Sequence, residues 1–106
     1  MIKITVYKES GNYKGFTCEG HAGYAEEGYD IICAAVSALT VNAVNSIERF
    51  TGDSVTASSD EGLLRCSLNG SISGQTALLL DSMISGLQDI QETYGNEYIR
   101  LTFKEV

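Results

Sequence analysis

The chain reads as an α+β protein, a compact two-layer sandwich of order ββαββαβ with two helices packed on a mostly antiparallel sheet. Three observations lead there. Apolar residues alternate with polar ones in short runs that come in pairs; two longer stretches carry apolar residues at a period of 3.6; and glycines stand at most of the junctions. Its 106 residues, 43% hydrophobic and 20% charged, suffice for one modest core, so residues 1–106 are expected to form a single domain.

Taken in order, Ile2, Ile4 and Val6 alternate with Lys3, Thr5 and Tyr7, which gives a first strand with one buried face. Gly11-Asn12 is a turn signal, and a second strand from about Tyr13 to Glu19, with Phe16 and Cys18 on its apolar side, closes a hairpin. A helix follows over Ile31–Phe50: Asp30 has the short acceptor side chain of an N-cap, Ile32, Val36, Leu39, Ala43, Ile47 and Phe50 form the stripe, and Gly52 marks the end. Val55–Ser59 and Leu63–Leu68 make a second hairpin across Asp60-Glu61-Gly62, with Leu64, Cys66 and Leu68 on one face. Ser71 or Ser73 caps a second helix carrying Leu80, Met83, Ile84, Leu87, Ile90 and Tyr94, which stops at Gly95. Tyr98–Lys104 is the last strand, with Ile99, Leu101 and Phe103 inward.

Charge narrows the function. Seven basic residues against 14 acidic ones leave a net charge of −7, spread along the chain. Such a field repels phosphate backbones and attracts a basic polypeptide, so no direct nucleic-acid partner is expected. The first residues alternate as a strand rather than forming a signal core, and no window reads as the roughly 20 apolar residues of a membrane span, so no membrane partner is expected either. Three cysteines, an odd number, point to free thiols in a reducing compartment, and a cytoplasmic location follows.

The chemistry concentrates in one stretch. Gly20-His21-Ala22 holds the only histidine, and Cys33 comes twelve residues later, in the first turn of the helix that Asp30 opens. Unpaired N–H groups and the positive end of the helix dipole there favour thiolate over thiol, and a histidine brought close by the intervening turn is a base for it. The N–H groups of the same helix start are candidate oxyanion donors. Asp30 either only caps the helix or also orients His21; Ser37, one turn beyond Cys33, is either a backbone-bonded helix serine or a polar support below the nucleophile. Gly23, Tyr24, Glu26, Glu27, Gly28 and Tyr29 form a loop over the pair that suits a mobile lid with few apolar anchors other than Tyr24 and Tyr29.

Two other readings stand beside this one. Cys33 is equally a small apolar residue packed at a helix start, which would make the chain a non-enzymatic binding module. Cys18, His21, Cys33 and Cys66 have the ligand types of a Cys₃His zinc site, but Cys18 and His21 would point to opposite faces of a continuous strand and no second tight ligand pair exists. Cys18 and Cys66 alternate with apolar neighbours and read as core thiols. No cofactor and no metal is expected.

The pattern Gly20-His21-Ala22, glycine-bearing loop, Asp30-Ile31-Ile32-Cys33-Ala34-Ala35-Val36-Ser37 resembles the ribosomal-processing cysteine proteases, the Prp family. The likeness extends through the second helix around Met83–Ile90 and the closing Asn96–Phe103 segment. The resemblance implies a cysteine endopeptidase that removes a short N-terminal extension from large-subunit ribosomal protein L twenty-seven, cutting after a pair of phenylalanines and before alanine. It implies His21 as catalytic base, Cys33 as nucleophile, Asp30 and Ser37 as supporting positions, a homodimer, and a loop that orders when substrate binds.

Overall fold

The protein is described by a computed structural model covering residues 1–26 and 29–106. Its elements are β1 (Ile2–Glu9), β2 (Asn12–Glu19), α1 (Ile31–Phe50), β3 (Ser54–Asp60), β4 (Leu63–Asn69), α2 (Gly74–Tyr94) and β5 (Ile99–Glu105), the ββαββαβ order expected. One five-stranded sheet of order β3-β4-β2-β1-β5 holds all the strands. Every pairing is antiparallel except β1 with β5, which run parallel with Ile2 opposite Ile99 and Ile4 opposite Leu101.

Register puts the apolar residues on one face. Val6 lies opposite Phe16, and Phe16 opposite Cys66. Ile4, Val6, Phe16, Cys66, Leu68 and Ile99 are buried there, and Ile32, Val36, Ala43, Val44 and Ile47 of α1 and Leu80, Met83, Ile84 and Leu87 of α2 join them in one core. Where the helices meet, Gly86 leaves room for Leu39: a Cβ at Gly86 would stand 2.9 Å from its Cδ1.

Two details differ from expectation, the β1–β2 turn and the placement of Phe103. The β1–β2 turn is Ser10-Gly11 rather than Gly11-Asn12, because both of its central residues have positive φ, 50° and 84°, as a tight two-residue hairpin turn requires. Helix α1 has the expected bounds and is capped by Thr51, whose N–H donates to the Ile47 carbonyl at 3.2 Å, one residue before Gly52. Ser73, not Ser71, caps α2. Phe103 does not turn into the core: it is 49% exposed on an edge strand, near the end of β5.

Helix α1 also corrects the reading of hydropathy. By length and composition alone it could cross a membrane, with a mean hydropathy of 1.5. Its only charges, Glu48 and Arg49, come in its last three residues, and its exposed positions mix Ala34, Ala38 and Val41 with the uncharged polar Ser37, Asn42 and Asn45. In this fold its inner stripe lies against the sheet.

Candidate active site

Strand β2 ends at Glu19, and Gly20 turns the chain away with φ of 92°. No other residue fits there, since a Cβ would stand 2.5 Å from the Met1 carbonyl oxygen. The Gly20 N–H donates to the Gly62 carbonyl at 2.9 Å, which ties this corner to the β3–β4 turn. His21 emerges exposed beside that turn, its Nε2 within ordinary contact distance, 3.7 Å, of where a Cβ at Gly62 would stand. Ala22, next in the chain, is buried.

From the other side comes the start of α1. Asp30, 9% exposed, uses both carboxylate oxygens. Oδ1 accepts from the N–H groups of Ile32 and Cys33 at 3.0 Å each, and Oδ2 from those of Tyr24 at 3.0 Å and Ala25 at 3.4 Å. Burial works against the charge. The four N–H donations, led by that of Cys33, overcome it and hold the carboxyl below its ordinary 3.8. Asp30 is therefore a cap and a tether at once, fastening the loop after His21 to the helix that carries Cys33.

The tether brings the loop onto the thiol. The Ala22 N–H donates to Cys33 Sγ at 3.2 Å. Two cavities meet at this point. One, of about 220 Å³, has Ile2, Cys18, Val36, Thr40, Val41 and Leu64 in its wall; the other, of about 340 Å³, opens toward Gly23, Ala25, Asp30 and Ala34. His21, Cys33 and Ser37 line both. The sequence-predicted histidine, cysteine and serine thus stand around one cleft, half-buried Cys33 between exposed His21 and exposed Ser37.

Two expectations change. The helix-start N–H groups named as oxyanion donors are already engaged: those of Ile32 and Cys33 by the Asp30 side chain, and that of Ala34 by the Asp30 carbonyl at 3.1 Å. The loop is also better anchored than its composition implies. Tyr24 packs edge-on against Tyr94 and Tyr98, Asp30 holds its backbone, and the Tyr29 N–H donates to the Glu26 carbonyl at 2.9 Å. Gly23 and Glu26 are exposed on this loop, Tyr29 likewise, whereas Glu27 and Gly28 lie outside the described residues.

The other two thiols are set by burial. Burial pushes Cys18 up to about 11, with neighbouring Cys33 and Glu19 adding to it, and burial with Glu48 does the same for Cys66. Among the described residues no three His, Cys, Asp or Glu side chains converge as metal ligands. Sequence reasoning missed the contribution of the second hairpin, where Ser59, Asp60, Gly62 and Leu63 border the first cavity. The β2–β4 register, which lays Leu63 opposite Glu19, brings them there and leaves no local motif.

The chain is similar to known proteins in sequence and in fold. The Staphylococcus aureus protein named ribosomal processing cysteine protease Prp is 34% identical over 105 residues, covering 97% of either chain. The Bacillus subtilis protein of the same name is 31% identical, covering 96% of either chain. A crystal structure of an essential ribosomal processing protease Prp from S. aureus, in complex with a covalently linked product peptide, superposes with a TM-score of 0.92 at 32% identity, covering 98% of this chain and all of that one. The family model described as cysteine protease Prp matches residues 1–100, and the chain belongs to that family of ribosomal-processing cysteine proteases.

Proposed function

We propose that this cysteine protease removes the N-terminal extension of the precursor of ribosomal protein L twenty-seven, with Cys33 as nucleophile and His21 as general base and acid. His21 takes the proton of the Cys33 thiol, and Sγ attacks the scissile carbonyl. The tetrahedral adduct collapses to a thioester as His21 protonates the departing amine. Water, deprotonated by His21, then hydrolyses the thioester, releasing the carboxylate product and restoring the thiol. The observation that carries this reading is the Ala22 N–H on Cys33 Sγ at 3.2 Å, in a cleft that His21 also lines. The apolar wall of Ile2, Val36, Val41 and Leu64 suits an aromatic side chain before the cut, and the net charge of −7 suits a basic ribosomal protein.

In this reading Asp30 is a positioning residue, Ser37 a polar support along the cleft, and the described part of the Gly23–Tyr29 loop the cover over bound substrate. The enzyme works as a cytoplasmic homodimer without metal, nucleic acid or membrane. The test is incubation of the purified precursor with the enzyme and with Cys33→Ala. A new N-terminus beginning at alanine after paired phenylalanines, formed only by the intact enzyme, is expected. An uncut precursor overturns the assignment of substrate.

A further inference from the structure

Tyr24, on the loop after His21, meets two tyrosines 70 and 74 residues further along the chain. The Tyr24 ring stands 5.6 Å from that of Tyr94 at an interplanar angle of 78°, and 5.2 Å from that of Tyr98 at 79°. Both are edge-to-face arrangements, the geometry in which the positive rim of one ring meets the negative face of another. Tyr94 is the last residue of α2, and Gly95, with φ of 97°, turns the chain back toward β5. Tyr98 is held in turn by the sheet, because its carbonyl accepts the Ile2 N–H at 2.9 Å. The pair is therefore a fixed seat on the scaffold, while Tyr24 belongs to the loop and is itself 42% exposed.

What the seat fixes is chemically relevant. Tyr24 is two residues beyond Ala22, the donor to Cys33 Sγ, and its own N–H is bound by Asp30. Residues 22–25 are thus pinned at buried Ala22, at the Asp30 carboxylate and at the Tyr24 ring. Without the ring contacts the backbone bonds would have to hold an exposed, glycine-containing segment alone. We infer that Tyr24, Tyr94 and Tyr98 form an aromatic latch whose function is to position the Ala22 N–H on the Cys33 sulfur, making all three positioning residues for the protease reaction. The inference rests on the reading of Cys33 as nucleophile. It also links the end of α2 and the approach to β5, neither of which borders the cleft, to the state of the thiol.

The latch needs rings, not hydroxyls, so phenylalanine should replace tyrosine and alanine should not. The experiment compares Tyr24→Ala, Tyr94→Ala, Tyr24→Phe and Tyr94→Phe by peptide cleavage and by the pH dependence of iodoacetamide alkylation at Cys33. The alanine variants should lose about 2- to 10-fold in kcat/KM, the span an edge-to-face pair supports, and the acid limb of alkylation should move to higher pH. The phenylalanine variants should stay within about 2-fold of the parent and keep its pH profile. A merely structural loss would lower yield or melting temperature without moving that limb. Tyr24→Ala alters only an exposed loop side chain, so it decides the matter even if the α2 variant unfolds. An unmoved acid limb in Tyr24→Ala, or phenylalanine variants as impaired as the alanine ones, overturns the latch. Turnover by Cys33→Ala would instead remove the nucleophile assignment on which it rests.

Discussion

Asp30 offers the sharpest separation of stability from chemistry, because its two oxygens do different work. In Asp30→Ala four N–H donors lose their acceptor: Ile32 and Cys33 at the helix start, Tyr24 and Ala25 in the loop. Loss of an N-cap costs about 1 kcal/mol, and the two loop bonds to a charged acceptor about 1 kcal/mol or more together, the 3.4 Å contact from Ala25 being the weaker. A total of about 2 to 3 kcal/mol corresponds to a fall in Tm of roughly 10 to 15 °C for a domain of this size. Asp30→Asn keeps one carbonyl oxygen and so can serve only one pair of donors. Capping the two 3.0 Å helix donors leaves an amide NH₂ facing Tyr24 and Ala25, so Tm should fall by only about 5 °C. Cleavage should nevertheless drop about tenfold or more, since the loop no longer holds Ala22 on the sulfur. The sign with pH follows from the lowered carboxyl. Its contribution is complete above the unfolded value near pH 4 and is lost as pH falls through the folded value, so the Tm gap between parent and either variant should close on acidification. Thermal unfolding and peptide cleavage on the same preparations test this. An Asp30→Asn protein with parental activity, or an Asp30→Ala protein with parental Tm, would refute the reasoning.

Cys33→Ala and His21→Ala should each abolish peptide cleavage with the melting curve nearly unchanged, since neither side chain is in the core; Cys33→Ser should be severely impaired, because a hydroxyl ionises far less readily than a thiol. With Cys18 and Cys66 pushed up to about 11, iodoacetamide near neutral pH should label Cys33 alone in the folded protein, as read by peptide mass mapping. Cys66→Ala should cost on the order of 1 kcal/mol in denaturant unfolding and leave kcat close to the parent. Asp53 accepts the Thr76 hydroxyl at 2.5 Å and the Ser73 hydroxyl and N–H at 2.7 and 2.8 Å, which together hold its carboxyl below its ordinary value. Asp53→Asn should therefore lower Tm at neutral pH, and the difference should vanish as pH falls through that lowered value.

Much of this was legible because the signals are local. Helix α1 was bounded by a cap at Asp30 and a stripe through Ile32, Val36 and Ile47, and the strand alternation of Ile2, Ile4 and Val6 fixed which face is buried. His21 and Cys33 stood out as the lone histidine and a first-turn cysteine. What escaped depends on non-local geometry. The edge position of β5 exposes Phe103 despite its alternation with Leu101 and Ile99, and no sequence pattern reports where an edge strand outruns its cover. Likewise the Tyr24 anchors are 70 and 74 residues away in the chain, and the hold of Asp30 Oδ2 on the Tyr24 and Ala25 N–H groups depends on where the loop folds back.

The most direct test of the central claim is where a substrate-derived electrophile becomes attached. A chloromethyl ketone built on the phenylalanine-phenylalanine end of the extension should alkylate Cys33 with one equivalent per chain, with activity lost in step, as followed by intact mass and peptide mapping. His21→Ala should slow that labelling severely. Stoichiometric labelling of Cys18, Cys66 or another residue, or full cleavage activity after Cys33 is modified, would contradict the assignment of Cys33 as the nucleophile.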